Sequence, residues 1–342
     1  MPWASNTSIS LICSKKWFET PDAVSFELEA INDDNSFDFK PGQFTSLGFS
    51  IDAEKHYRAY SISSTPNQSK LQFTVKRVPG GLVSNHIVED LSVGDALEVM
   101  EPMGAFNSVE CLPKSKVLMI SAGCGVTPIM SMVGDWLESR KDIDIEFLHF
   151  AKEKQQVIYF DKLEGLDEQH ANFNLKLVLE NNVGTDYPQG LFDIDKLNAA
   201  CPDFLERTVY LCGPVGFMEV VRISLDECGF DMDQFHQESF TPTSANDDKL
   251  DSNMGLATVS VADFGVELQV DKGSLLLDAL EQGGVPVIAA CRSGICGSCK
   301  CRVKVGQVES TSYETLSEQD RAEGFVLACS SKVTGDVEVG LN

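Results

Sequence analysis

The sequence predicts a multidomain protein of α/β plus β class: an antiparallel β-barrel, then a parallel α/β domain, then a small β-rich domain. Three observations carry this expectation. Before residue 110, short alternating runs such as LQFTVKRV (Leu71–Val78) and DALEVMEP are broken by PG, GG and GD turns, as in antiparallel strands buried on one face. From Lys116 the pattern changes to apolar runs (KVLMISAG, IDIEFLHF, LKLVLE, TVYLCGP) alternating with helical stretches such as PIMSMVGDWLESR, as in a parallel sheet covered by helices. TPTSANDDKLDSNMG is polar, turn-forming and without apolar periodicity, and strands return after it (LATVSVADF, VELQV) with one helical segment, SLLLDALEQGG. The expected boundaries are therefore 1–110, 111–240, a linker at 241–256, and 257–342.

Composition narrows the function. With 342 residues and 43% hydrophobic side chains, the chain is long enough for two or three domains, each with its own core. A net charge of −25 and the absence of any basic run argue against nucleic acid, whose phosphates require clustered Lys and Arg. The acidic excess is spread evenly; residues 257–342 hold 7 basic against 12 acidic side chains. It reads as a solvated surface rather than a docking patch. No apolar stretch reaches membrane-spanning length, and the N-terminal residues lack a charged segment followed by an apolar one. A cytoplasmic protein without a membrane span is expected.

Of the 11 cysteines, Cys13, Cys111, Cys124, Cys201, Cys212 and Cys228 are scattered and read as inert thiols in a reducing compartment. The remaining five are different. In CRSGICGSC, Cys291, Cys296 and Cys299 follow C-x4-C-x2-C spacing, and Cys329 comes after 29 intervening residues. This is the plant-type arrangement for a 2Fe-2S cluster, in which four thiolates hold two irons. Gly294 and Gly297 let the backbone wrap closely around the sulfides. Structural zinc is the main alternative, but it usually takes two short knuckles rather than three ligands in one loop and a distant fourth. Cys301, two residues past Cys299, reads as a non-ligand. Ser317 followed by Asp320 predicts a capped helix that leads to the strand carrying Cys329.

Three further segments suit phosphates and flat rings. RAYSISSTP supplies Arg58, whose guanidinium can bind phosphate bidentately, then Tyr60, whose face can stack on a ring, then Ser61. KRVPGGLVSNHI runs from Lys76 through Gly80, Gly81, Leu82, Val83 and Ser84, where a helix N-terminus would present its N–H groups to a pyrophosphate. SAGCGVTPIMSM places Gly123, Cys124 and Gly125 between a strand and a helix, with Thr127 expected at the N-cap and Pro128 in the first helical position. Pro128 occupies the third glycine position of G-x-G-x-x-G, so the ordinary dinucleotide fingerprint is not met. In YLCGPVGFM, Cys212, Gly213 and Pro214 end a strand and Met218 is expected to open the next helix; the bland reading of Cys124 and Cys212 is packing. QESFTP adds Glu238 and Phe240, which otherwise read as an acidic turn and a buried ring.

Taken in order, these motifs resemble the ferredoxin-NADP reductase superfamily, here followed by a plant-type ferredoxin domain of β-grasp type over residues 257–342. The resemblance implies an antiparallel flavin-binding β-barrel and a parallel α/β nucleotide-binding domain. It also implies FAD rather than FMN, with Arg58 on its phosphate, Tyr60 against the isoalloxazine and Ser61 near N5. Cys212 is implied beside the nicotinamide, Phe240 over the flavin and Glu238 close by. NADH as electron donor is implied too; after IEFLHF stand Ala151, Lys152, Glu153 and Lys154, with no arginine to read a 2′-phosphate, though Lys152 can bind one. The wording RAYSISSTP, AGCGVTPIMSM, ESFTP and AEGFVLACS resembles the subgroup that serves hybrid cluster protein, which is the implied acceptor. The reductase component of a Rieske-type oxygenase or demethylase shares these modules and is the alternative. A non-catalytic redox sensor or zinc-stabilised scaffold is the alternative of another class.

Overall fold

The computed structural model describes residues 8–30, 37–140, 142–240, 255–289, 292, 294, 297–313 and 315–341. Two compact units result, one from residues up to Lys55 together with Tyr60–Ser239, the other from His56–Ala59 with Phe240 onward.

The barrel-like sheet consists of β1 (Ile9–Thr20), β2 (Ala23–Glu29), β3 (Phe44–Ile51), β4 (Glu54–Ser61, of which His56–Ala59 are counted with the second unit), β5 (Leu71–Lys76) and β6 (Ala96–Val99), ordered β4-β3-β6-β1-β2-β5. The pairs β1–β2, β1–β6, β2–β5 and β3–β6 are antiparallel. Alternate side chains face inward: Phe26 and Phe73 sit opposite each other and stack at 5.5 Å. Helix α1 (Leu82–Glu89) buries Val83, Ile87 and Val88 on the same core as Leu11, Phe26, Leu47 and Val99.

The α/β part of the first unit runs β7 (Lys116–Ala122), α2 (Val126–Ser139), β8 (Asp144–Ala151), α3 (Phe160–Gln169), β9 (Phe173–Leu179), α4 (Ile194–Ala200), β10 (Thr208–Cys212), α5 (Val215–Glu227) and β11 (Phe235–Glu238). Its strands are parallel in the order β11-β10-β7-β8-β9. Two cores flank it, Met119, Trp136, Phe147 and Tyr210 on one face, Leu118, Ile120, Phe150 and Leu211 on the other. Burial on both faces explains why these strands read as continuous apolar runs. The strand order reverses between β7 and β10, which makes the carboxyl edge of this strand pair the switch point of the sheet. At the opposite edge the buried Arg207 binds Asp203 Oδ1 through Nε at 2.8 Å, Asp144 Oδ2 through Nη2 at 2.8 Å and the Val117 carbonyl through Nη1 at 3.1 Å. One guanidinium thus ties the amino ends of β7 and β8 to the turn leading into β10.

The second unit contains β12 (Leu256–Val261), β13 (Val266–Asp271), α6 (Leu276–Gln282), β14 (Lys300–Val305), β15 (Val308–Ser310), α7 (Glu318–Ala322), β16 (Phe325–Leu327), β17 (Ser331–Val333) and β18 (Val337–Gly340). The main sheet is ordered β13-β12-β18-β14-β16, with β12 and β18 parallel, and β15 pairs with β17 separately. Leu276, Leu277 and Leu280 of α6 join its core. Among the described residues no helix is long and apolar enough to cross a membrane.

Three details differ from the sequence reading. Leu256, expected in the linker, pairs with Asp271 as the first residue of β12; residues 241–254 lie outside the described residues. Helix α2 begins at Val126 with Gly125 as N-cap, because Gly123–Gly125 already forms a 3-10 turn that runs straight into it. Thr127 is therefore a second helical residue, its hydroxyl donating to the Cys124 carbonyl at 3.0 Å, and Pro128 the third, where a missing N–H still costs nothing. Met218 sits a turn inside α5, which opens at Val215 after Pro214. The capped helix is present as expected, with Ser317 and Asp320 bonding each other's backbone N–H groups.

Candidate functional site

Two glycine turns of the first unit each lead into a helix. Gly80 has φ +72, and Gly81 is the N-cap of α1 with no side-chain cap and no acid in the first turn, so the first amides of α1 remain for an anion. Ser84 accepts the Val78 N–H at 3.2 Å, which closes the turn and leaves its own proton to donate. Val83 is buried and Leu82 exposed; Lys76 pairs with Asp22 at 3.3 Å. Strand β4 carries Arg58, whose Nη1 donates to the Tyr57 carbonyl at 2.7 Å, Tyr60, packed on the barrel core, and the buried Ser61.

The second turn lies at the switch point. Gly123 has φ +54, and a Cβ on Gly125 would stand 2.1 Å from the Cys212 carbonyl oxygen, so only glycine lets α2 start against β10. A Cβ on Gly213 would come within 3.3 Å of Ala122. The two loops, Gly123–Gly125 and Gly213–Pro214, therefore touch backbone to backbone, as a dinucleotide cradle requires.

Across the carboxyl edge a row of polar side chains shares one face. Glu238 pairs with Cys212, Cys212 with Ser121, and Ser121 with His149, all buried. The Ser121 hydroxyl and His149 Nδ1 are 2.6 Å apart, and burial pushes the His149 pKa down to about 4, so the ring is neutral. Burial pushes Glu238 up to about 8, and its Oε2 has no hydrogen-bond partner among the described residues. Burial and the neighbouring Glu238 hold the Cys212 thiol well above its usual pKa. Cys124 is pushed to about 11 by burial, its thiol directed at the Thr74 carbonyl at 3.9 Å. Both thiols are protonated and neither is an activated nucleophile. A Cβ on Gly104, in the loop after β6, would lie 3.9 Å from Glu238 Oε1, so this carboxyl reaches the barrel as well. The Met103–Gly104 loop had no sequence signal beyond its turn. Phe240, two residues beyond Glu238, is exposed.

In the second unit the Cys299 and Cys329 sulfurs are 3.2 Å apart. The Gly294 N–H points at Cys329 Sγ at 3.2 Å, and the Cys329 N–H at Cys299 Sγ at 3.5 Å. Gly294 has φ +75 and a Cβ there would strike Ser312 Cβ at 2.7 Å; Gly297, φ +71, would strike Thr315 at 2.7 Å. Cys291 and Cys296 lie outside the described residues. Cys301 is buried on β14 opposite Val326, within the apolar core. Two adjacent sulfurs with backbone N–H groups aimed at them suit thiolates that would hold iron. The buried, unpartnered carboxyl of Glu238 suits a polar ring edge, and the uncapped helix α1 suits a pyrophosphate.

Residues 10–108 match the oxidoreductase FAD-binding domain family, 119–222 the oxidoreductase NAD-binding domain family, and 259–334 the 2Fe-2S iron-sulfur cluster binding domain family. The glycine betaine monooxygenase reductase subunit of Pseudomonas aeruginosa is 35% identical over 98% of this chain and 96% of its own length. The NADH oxidoreductase HCR of Escherichia coli is 34% identical over 93% of each chain. Phthalate dioxygenase reductase superposes with a TM-score of 0.66 over 98% of both chains at 23% identity, a likeness of fold.

Proposed function

The chain belongs to the ferredoxin reductase superfamily, as an NADH-dependent oxidoreductase with FAD and a 2Fe-2S cluster, and from that premise we propose that its electrons go to hybrid cluster protein. The observation that carries the proposal is the likeness to the Escherichia coli enzyme, 34% identical along 93% of both chains. Bound FAD supplies the conversion of an electron pair from NADH into single electrons, and the cluster their onward transfer.

The residues of this chain bind, orient and exclude water. We assign the pyrophosphate of FAD to the Gly80–Gly81 turn and the amides of Leu82 and Val83, with Arg58 and Ser84 as further phosphate donors and Tyr60 and Ser61 along the ring. The Gly123–Gly125 and Gly213–Pro214 loops hold the dinucleotide, and the neutral Glu238 offers its proton to the nicotinamide end beside Cys212. Glu238 orients; it is not a general base. Cys299 and Cys329, with Cys291 and Cys296, hold the cluster. A cytoplasmic setting is part of the same proposal.

A second reading has its own observation: the 35% identity to a glycine betaine monooxygenase reductase subunit favours an oxygenase or demethylase as acceptor. The test is NADH-driven electron delivery to purified hybrid cluster protein and to a purified Rieske-type oxygenase, side by side. Faster reduction of hybrid cluster protein supports the proposal; preference for the oxygenase overturns it.

A further inference from the structure

Tyr159 is backbone-strained and buried. It has φ +63, a left-handed conformation unfavourable for an aromatic residue, and it is the N-cap of α3, its carbonyl accepting the Leu163 N–H at 2.8 Å. Such a conformation persists only where the surroundings over-determine it. Here the surroundings are the barrel. The Tyr159 hydroxyl hydrogen-bonds Thr74 Oγ1 on β5, with the Ser63 hydroxyl also interacting with it, and Thr74 Oγ1 lies 2.6 Å from Ser25 Oγ on β2. The Ser25 hydroxyl donates to Glu19 Oε1 at 2.6 Å, and the Trp17 indole N–H donates to the same oxygen at 2.7 Å. Ser25 and Thr74 are register partners, so the column crosses three strands of the barrel and ends on a carboxylate. Because Glu19 only accepts, every hydroxyl in the column donates toward it, and the Tyr159 proton points at Thr74.

Thr74 serves both ligand turns. Its hydroxyl holds α3, its carbonyl faces the Cys124 thiol inside the Gly123–Gly125 turn at 3.9 Å, and its strand ends at Lys76, four residues before Gly80. A shift of Thr74 relative to Tyr159 would therefore change the spacing between the nucleotide turn and the flavin turn. We propose that Tyr159 is a positioning residue that, through Thr74, sets the alignment of the nicotinamide with the flavin. The proposal rests on the function proposed above. It concerns geometry rather than affinity, because neither Tyr159 nor Thr74 is placed in a ligand-binding loop. Loss of alignment lowers the rate of reaction between bound partners, whereas loss of contact weakens binding.

The test uses the flavin- and cluster-loaded protein. Tyr159→Phe keeps the ring and the backbone and removes only the hydroxyl. We expect single-turnover flavin reduction and kcat to fall roughly tenfold, with the KM for NADH within about twofold of the parent. Amide hydrogen exchange at Gly123–Gly125 and at Arg77–Gly81 should accelerate by a similar factor, roughly tenfold. Thr74→Val, which removes the same bond from the barrel side, should reproduce both effects; the double variant should be no worse than either single, and Thr74→Ser should restore them. Unchanged exchange and reduction rates in Tyr159→Phe, or effects that add in the double variant, would overturn the proposal even if thermal stability fell. If the parent protein failed to oxidise NADH, the functional reading would fall; exchange at the two turns would still decide the role of Tyr159.

Discussion

Replacing Glu238 by Gln removes one proton site from a buried place, and its size follows from the structure. Burial moves this carboxyl from 4.5 to about 8, and nothing among the described residues bonds Oε2. At 1.36 kcal/mol per pKa unit, the penalty for ionising it in the fold is roughly 5 kcal/mol, of which about 3–4 kcal/mol falls between pH 5 and 8. The folded chain keeps a proton that the unfolded chain has released, so the native state binds more protons between those two values. Stability therefore falls as pH rises from 4.5 to about 8, is undiminished below that window and is lowest above it. Gln has no such slope. Urea unfolding of the flavin-loaded protein at pH 5, 6.5 and 8, run for both forms, should show the Glu238 form losing a few kcal/mol, at most about 4, relative to Glu238→Gln. His149 acts in the opposite sense: its lowered pKa removes stability as pH falls from 6.5 to about 4. It is common to both proteins and cancels in the difference. Parallel curves from pH 5 to 8 would mean that the carboxylate is solvated or paired, and the account of Glu238 as a neutral donor would be wrong.

Arg207→Met should destabilise the first unit by about 1–3 kcal/mol in denaturant unfolding, since it takes a buried guanidinium donor from the Val117 carbonyl, while Asp203, 31% exposed, keeps Lys116. Asp144 is 41% exposed and contributes little to that figure. Cys299→Ser and Cys329→Ser should each abolish the visible absorbance and bound sulfide of the second unit, whereas Cys301→Ser should retain both; the reverse pattern would move the ligand set. Gly125→Ala places a methyl 2.1 Å from the Cys212 carbonyl oxygen, so NADH oxidation with ferricyanide should drop at least about tenfold or the protein should fail to fold.

Much of this was legible because burial writes a period into the chain. The apolar-polar alternation of Leu71–Lys76 (β5) and Ala96–Val99 (β6) against the continuous apolar runs of β7 and β10 separated the two architectures before any contact was known. The 2Fe-2S domain was legible from cysteine spacing, and the cap of α7 from Ser317 and Asp320. What escaped depends on residues far apart in sequence. Thr74 and Tyr159 are 85 residues apart, and neither has a local pattern that marks the bond between them. Arg207 follows Leu-Glu like any surface arginine; only the folded chain puts Asp144 and the Val117 carbonyl around it.

The departure of SAGCGVTP from the ordinary dinucleotide fingerprint has the same kind of answer. In that fingerprint the third glycine lets the helix pack closely on its strands. Here Pro128 holds that position without penalty, because it is the third residue of α2 and its absent N–H would have had no helical partner. The close approach has moved to Gly125, where a Cβ would collide with the Cys212 carbonyl, and Gly134, where it would meet the Thr65 methyl at 2.7 Å. The helix is thus pressed against β10 at its start and against the barrel two turns later. A turn that closes on Cys212 at one end and on the barrel at the other couples the nucleotide loop to the flavin domain directly, so the missing glycine is compensated by packing, and binding need not suffer for it.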